Sequence, residues 1–85
     1  MKHARQDTLA LLEPLLQKLR KHHALVERTP GAFYRKSKAY LHFHQDPSGI
    51  YADVKLNFAE FTRIRATTPN EQARLLSLID KSLKH

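Results

Sequence analysis

The stretch from Ala39 to Leu56, AYLHFHQDPSGIYADVKL, constrains the fold more than any other part of the chain. Apolar and polar residues alternate along it with the period of two that is typical of a β-strand. The DPSG sequence at its centre is typical of a type I turn, because Asp accepts backbone hydrogen bonds, Pro presets φ and Gly suits the fourth position. The stretch therefore predicts a β-hairpin with one apolar face.

The same alternation predicts the register of this hairpin, since a slip of one residue would expose its apolar side chains. A four-residue loop from Asp46 to Gly49 pairs Gln45 with Ile50, whereas a three-residue loop with a bulge would break the match. The four-residue loop aligns three further pairs: Leu41 with Val54, Phe43 with Ala52, and His42 with Asp53.

Residues 4–23 predict the first helix, because leucines recur at spacings of three and four. Pro14 interrupts this pattern and costs about 3 kcal/mol or more inside a helix. The helix either kinks there, or a first piece ends near Glu13 and a second begins with Pro14. An unbroken leucine stripe favours the kink: Leu9, Leu12, Leu16 and Leu19, widened by Leu11 and Leu15.

The remaining segments complete an α+β fold over residues 1–85, which we interpret as a single domain. We expect strands at 32–35, 39–45, 50–57 and 61–65, with residues 25–28 as a further short strand or an extended lead-in. Thr68-Pro69-Asn70-Glu71 is a capping box that begins a helix at 69–83. The prediction is an antiparallel meander of three to four strands with the N-terminal and C-terminal helices packed on one face.

Composition limits the function classes. The chain has 85 residues, a net charge of +7 and no cysteine, so disulfides and thiolate metal sites are excluded. It has no apolar run near the roughly 20 residues of a membrane span and no signal-peptide pattern, so we expect a cytoplasmic protein that does not enter membranes. The basic residues are spread along the sequence, which favours a generally basic surface and leaves nucleic acid as a candidate partner.

The second face of the predicted sheet carries tyrosine, histidine and charged side chains. The register places them in three rows: Tyr34, Tyr40 and Lys55; then His42 and Asp53; then His44 and Tyr51. Two imidazoles and a carboxylate can ligate a transition metal or perform acid–base chemistry, which makes His42, His44 and Asp53 a candidate metal site. Alternatively, the three tyrosines stack on bases while Lys36, Lys38 and Lys55 contact phosphates.

The third alternative gives this face no ligand at all, because Tyr and His are ordinary residues on half-exposed strands, or makes it a homodimer interface. No catalytic constellation is evident in the sequence. We therefore expect a binding or interaction module that is not an enzyme and needs no cofactor, with nucleic-acid binding and metal binding as the alternatives.

YLHFHQDPSGIYADVKL, with FYRKSKAY before it and TPNEQARLL after it, resembles small bacterial proteins of unknown function built around an LHFH-x-DP-x-G-x-x-AD hairpin. The resemblance covers most of the chain from Gly31 onward and implies no function for any residue. The basic turn, the strand and the return strand that ends in Lys also resemble, more faintly, the MmcQ/YjbR and YdhG-type domains. That likeness implies an α+β fold and DNA binding.

Overall fold

The predicted hairpin forms the centre of the structure, a computed structural model that describes the backbone of residues 2–3 and 6–84 and the side chains of residues 7–84. Its two strands pair in the predicted register, with Leu41 opposite Val54 and Phe43 opposite Ala52. Pairing continues to Asp46 and Gly49, so only Pro47 and Ser48 lie beyond the last pair. The Asp46 carboxylate accepts hydrogen bonds from the backbone and side chain of Ser48, as the turn chemistry predicts.

The fold is α+β, with helices before and after the main strands in the chain. In chain order the elements are β1 (Lys2–His3), α1 (Gln6–Leu11), α2 (Glu13–Leu19), β2 (Val26–Thr29), β3 (Ala32–Arg35), β4 (Lys38–Asp46), β5 (Gly49–Val54), β6 (Thr62–Arg65) and α3 (Pro69–Ser82). Strands β2 to β6 form an antiparallel meander in sequence order, and β1 pairs with the far half of β4.

The sheet has more strands than the three to four that the sequence predicts. The meander contains five strands, because residues 26–29 form a strand rather than only an extended lead-in. The strand predicted at 50–57 is shorter and ends at Val54. A turn follows it, in which the backbone N–H of Phe58 donates to the carbonyl of Lys55 at 2.9 Å.

The first helix is broken rather than kinked, so the prediction of one helix over 4–23 is wrong. Leu12 separates α1 from α2, and Pro14 lies in the first turn of α2, where its missing N–H costs no helical hydrogen bond. The second helix ends at Leu19, four residues before the predicted end. Ala4 and Arg5, the first two residues of the predicted helix, lie outside the described residues.

One buried cluster joins the helices to one face of the sheet. Most of the leucine stripe survives the break in the helix, but Leu11 is 71% exposed and does not widen it. Helix α3 adds Leu75 and Ile79 from its own apolar stripe. Ala66, which follows β6, is also in this cluster. The strands contribute the apolar residues that the alternation predicts: Phe33, Leu41, Phe43, Ile50, Ala52 and Val54.

The capping box of α3 forms as the sequence predicts. The Thr68 side chain accepts from the Glu71 backbone N–H, and the Glu71 carboxylate accepts from the Thr68 N–H at 2.9 Å. The same carboxylate accepts two hydrogen bonds from Arg65 on β6, which fixes the start of α3 against the edge of the sheet. Among the described helices, none combines the length and the apolar character needed to cross a membrane.

Candidate functional site

The face of the sheet opposite the helices carries most of the residues that the sequence singled out, and we call it the open face. Alternation and register place the following residues on it: Val26, Tyr34, His42, His44, Asp46, Tyr51, Asp53, Arg63 and Arg65. Two further cations join them through ring contacts, Arg28 over Tyr34 and Lys55 over Phe61. The ring of Phe61 also lies over this face, because its centroid is 4.9 Å from that of His42. Four of these residues are always cationic (Arg28, Lys55, Arg63 and Arg65) and two are acidic (Asp46 and Asp53), so the open face is basic.

His42, His44 and Asp53 come together at the centre of the open face, as the hairpin register predicts. His42 pairs with Asp53 across the strands, and the ring centroids of His42 and His44 are 4.5 Å apart. Nε2 of His44 lies 2.9 Å from Oδ2 of Asp53. One ligand-type atom from each of the three residues lies within 4.8 Å of the others. The cluster therefore has the donors of a metal site at nearly the right separation.

Asp53 is also held by Arg63, a residue that the sequence analysis did not include in the site. Nε of Arg63 donates to Oδ1 at 2.9 Å and Nη2 donates to Oδ2 at 3.0 Å, so the contact is bidentate. The Arg63 guanidinium holds the pKa of the Asp53 carboxyl below its ordinary value, against the opposing effect of burial. A metal ion would have to compete with this guanidinium for both carboxylate oxygens.

Tyr40 does not lie on the open face, so the predicted row of Tyr34, Tyr40 and Lys55 is wrong. A β-bulge between β3 and β4 pairs Phe33 with Leu41 but Tyr34 with Ala39. The extra residue at 40 turns toward the helices, where it is 1% exposed.

The hydroxyl of Tyr40 is part of a buried hydrogen-bond chain. It donates to Oγ of Ser82 on α3 at 2.9 Å, and that Oγ donates to the carbonyl of Leu56 at 2.7 Å. Burial raises the pKa of the Tyr40 phenol above its ordinary value. Tyr40 is therefore a core residue that ties the end of α3 to the sheet.

The other two tyrosines are on the open face, half-buried. Tyr34 lies under the guanidinium of Arg28, whose Cζ is 4.7 Å from the ring centroid. Tyr51 lies beside His44 across the hairpin, and its hydroxyl is 2.7 Å from Oγ of Ser48 in the turn. Both rings keep part of their surface available to a ligand.

Cations that stack on aromatic rings are frequent on and beside the open face. Besides the Arg28–Tyr34 pair, Nζ of Lys55 lies 4.8 Å from the centre of the Phe61 ring, and Cζ of Arg35 lies 4.0 Å from that of Phe58. Such pairs occur about once per 70–80 residues, and residues 7–84 contain these three. Arg28, Phe58 and Phe61 are not predictable as site residues from the sequence, because only the folded chain brings each ring and its cation together.

Protein-family models, curated proteins and solved structures were compared with the chain, and none of them matches it. The resemblance to the small bacterial hairpin proteins and to the MmcQ/YjbR and YdhG-type domains therefore stays a prediction. A function for the chain has to come from the geometry of its own residues.

Proposed function

We propose that the chain is a non-enzymatic module that binds single-stranded nucleic acid on the open face. The observation that carries the proposal is the set of three ring–cation pairs, two of them on this face. A ring offers a stacking surface to an unpaired base, and the adjacent cation can contact the phosphate that follows it. Phe61 is 43% exposed, which leaves room for a base on it.

Charge supports a polyanion as the ligand. Arg63 is paired with Asp53 and Arg65 with Glu71, while Arg28 and Lys55 are stacked on rings and keep their hydrogen-bond donors for a phosphate. Single strands suit this face better than duplex, because only unpaired bases can be splayed onto exposed rings. A sheet with helices on one face only leaves the full width of the meander to such a strand.

The same charge argues against a homodimer through the open face. A twofold dimer would press the same surface patch against itself. Like charges brought together across an interface cost several kcal/mol, and the strands carry two acidic residues on this face, Asp46 and Asp53, against four basic ones within the described residues.

A binding role also fits the state of Asp53 better than a catalytic one. A general base works best when its pKa lies near the operating pH. The hydrogen bonds from Arg63 lower the pKa of Asp53, which moves it further from neutrality and makes the carboxylate a weaker base.

Fluorescence anisotropy with a labelled single-stranded oligonucleotide tests the proposal. Phe61→Ala should weaken binding by about 1–3 kcal/mol, roughly 5- to 150-fold, if a base stacks on the ring. Leu11→Ala is the matched control, because Leu11 is exposed on α1 away from the open face. The affinity should also fall with salt by about 0.7 logarithmic units per tenfold rise in salt for each phosphate contacted.

Failure has a clear form in this assay. If DNA and RNA strands both leave the anisotropy unchanged at low salt, the proposed function is wrong. If binding is seen but Phe61→Ala and Leu11→Ala reduce it equally, the strand does not lie on the open face.

Metal binding at His42, His44 and Asp53 is a second candidate, favoured by the 4.8 Å separation of their ligand-type atoms. Because Arg63 occupies the carboxylate, Arg63→Met should make zinc binding tighter and zinc-dependent stabilisation larger. At 100 times the dissociation constant, zinc would stabilise the fold by about 2.7 kcal/mol. Adding His44→Ala should abolish this rise in melting temperature. No effect of zinc on either wild type or Arg63→Met would end this candidate.

A further inference from the structure

A small pocket opens at the end of the sheet, between the turn that joins β3 to β4 and the loop that follows β5. Its volume is about 160 Å³, below the roughly 300–1,000 Å³ of pockets that enclose drug-sized ligands. It therefore suits one small chemical group rather than a whole nucleoside. Two aromatic residues and four cationic residues line it, and of the two aromatic rings the one of Phe58 is exposed: Tyr40, Phe58, Arg35, Lys36, Lys38 and Lys55.

The charges of this pocket are unbalanced. Among the described residues that line it, none has an acidic side chain. The ion pairs of residues 7–84 use other basic residues: Arg20, His22, His44, Arg63 and Arg65. Four cations around one small space repel one another, and an anion in that space would remove the repulsion. The pocket is thus an anion site by charge.

Backbone strain at the pocket points to the same conclusion. Lys36 and Ser37 have φ of 52° and 68°, the conformation of a type I′ turn, which Asn-Gly usually occupies. Phe58 has φ of 62°, which is rare for a bulky residue. At two positions where glycine would relieve strain, the chain instead carries a cation and an aromatic ring that line the pocket. Strain of this kind concentrates at ligand-binding sites.

The ring of Phe58 holds one of the cations in place. Cζ of Arg35 is 4.0 Å from the ring centre, and the Tyr40 ring is 6.0 Å away, tilted by 31°. Because Tyr40 is fixed in the core, the Phe58 ring has a rigid neighbour. The Arg35 guanidinium is therefore already oriented before a ligand binds, which lowers the entropy cost of binding.

We propose that this pocket binds a phosphate monoester, the terminal phosphate of a strand that lies on the open face. A monoester carries about −1.5 to −2 charges at pH 7 and three acceptor oxygens, so it satisfies several cations where an internal phosphate offers a single charge. Lys55 connects the two sites, since it lines the pocket and also lies over Phe61. That the phosphate belongs to a nucleic-acid strand rests on the proposed function, because a free phosphate monoester would have the same chemistry.

The test compares one oligonucleotide in three forms, with hydroxyl ends, with a 5′-phosphate and with a 3′-phosphate, against ¹⁵N-labelled full-length chain. One phosphorylated form should bind about tenfold more tightly than the hydroxyl form, the effect of about one charge-assisted hydrogen bond. Lys36→Gln should remove this preference, and Lys81→Gln on α3 is the control with the same loss of charge. Lys36→Gly should also remove it without lowering the melting temperature, because glycine relieves the strain at φ 52°.

A second arm uses inorganic phosphate and a mononucleotide in place of the oligonucleotide. If these shift the amides of Lys36 and Lys38 while no oligonucleotide binds, the pocket is a phosphate site and the proposed function is wrong. If all three oligonucleotides bind equally and phosphate shifts no amide of the pocket, the phosphate site is wrong and the proposed function stands. If neither class of ligand has any effect, both are wrong.

Discussion

Replacing Tyr40 with phenylalanine tests the bulge that moves this residue from the open face into the core. The substitution keeps the ring and removes only the hydroxyl that donates to Ser82 at 2.9 Å. Ser82 still donates to the carbonyl of Leu56, so one buried hydrogen bond is lost and no cavity forms. The expected loss is about 0.5–1.5 kcal/mol. For a domain of this size, each kcal/mol lowers the melting temperature by about 4–8 °C.

Thermal melts followed by circular dichroism measure this difference directly. Tyr34→Phe is the matched control, since Tyr34 is half-exposed on the open face and a change there should stay within about 0.5 kcal/mol. Oligonucleotide affinity should be unchanged in Tyr40→Phe, because no base can reach a buried ring. If Tyr40→Phe melts within about 1 °C of wild type while Tyr34→Phe is destabilised, the assignment of the two tyrosines to opposite faces is wrong.

Two further predictions concern the core and the start of α3. Leu41→Ala should cost about 2–5 kcal/mol of a total of roughly 5–15, and a urea melt close to wild type would mean that the faces of the hairpin are reversed. Hydrogen bonds from the Thr68 backbone and Arg65 lower the pKa of Glu71 from 4.5 to about 2. A carboxyl group whose pKa is lower in the folded than in the unfolded chain stabilises the fold at any pH above its unfolded pKa. This stabilisation is lost as the pH falls toward the folded pKa, so the melting temperature should drop between pH 4.5 and 2. Glu71→Gln keeps a capping-box residue but not the charge, and should flatten that drop; an unchanged pH profile would contradict the assignment.

The hairpin register could be predicted because one face is buried and the turn residues are specific. Alternation from Leu41 to Phe43 leaves a single register that hides both side chains, and Asp46-Pro47-Ser48-Gly49 fixes where the strands reverse. The meeting of His42 with Asp53 follows from that register alone, and the structure confirms it. The capping box at Thr68 was equally predictable, since it depends on residues three apart.

Other features depend on contacts between distant segments, and the sequence alone did not predict them. The bulge at Tyr40 is invisible to an alternation pattern, because it is stabilised by Ser82 from α3. The turn at Lys36 and Ser37 lacks the Asn or Gly that announces positive φ. Arg63 reaches Asp53 only after β6 pairs with β5, and the pattern of FTRIR does not contain that register. The sequence leaves two alternatives at Pro14, one kinked helix or two separate helices. The leucine stripe favours the kinked helix, which is wrong, because the same stripe can continue across a break.

The most direct test of nucleic-acid binding on the open face is an NMR titration of the ¹⁵N-labelled chain with a single-stranded oligonucleotide. If a strand binds on the open face, the amides of Arg28, Tyr34 and Lys55 shift, those of Leu11 and Lys81 on the helices do not, and the shifts disappear as salt is raised. Shifts confined to the helices, or no shifts with either DNA or RNA, would contradict it. If sedimentation in the same buffer also gave twice the chain mass, the open face would instead be a dimer interface.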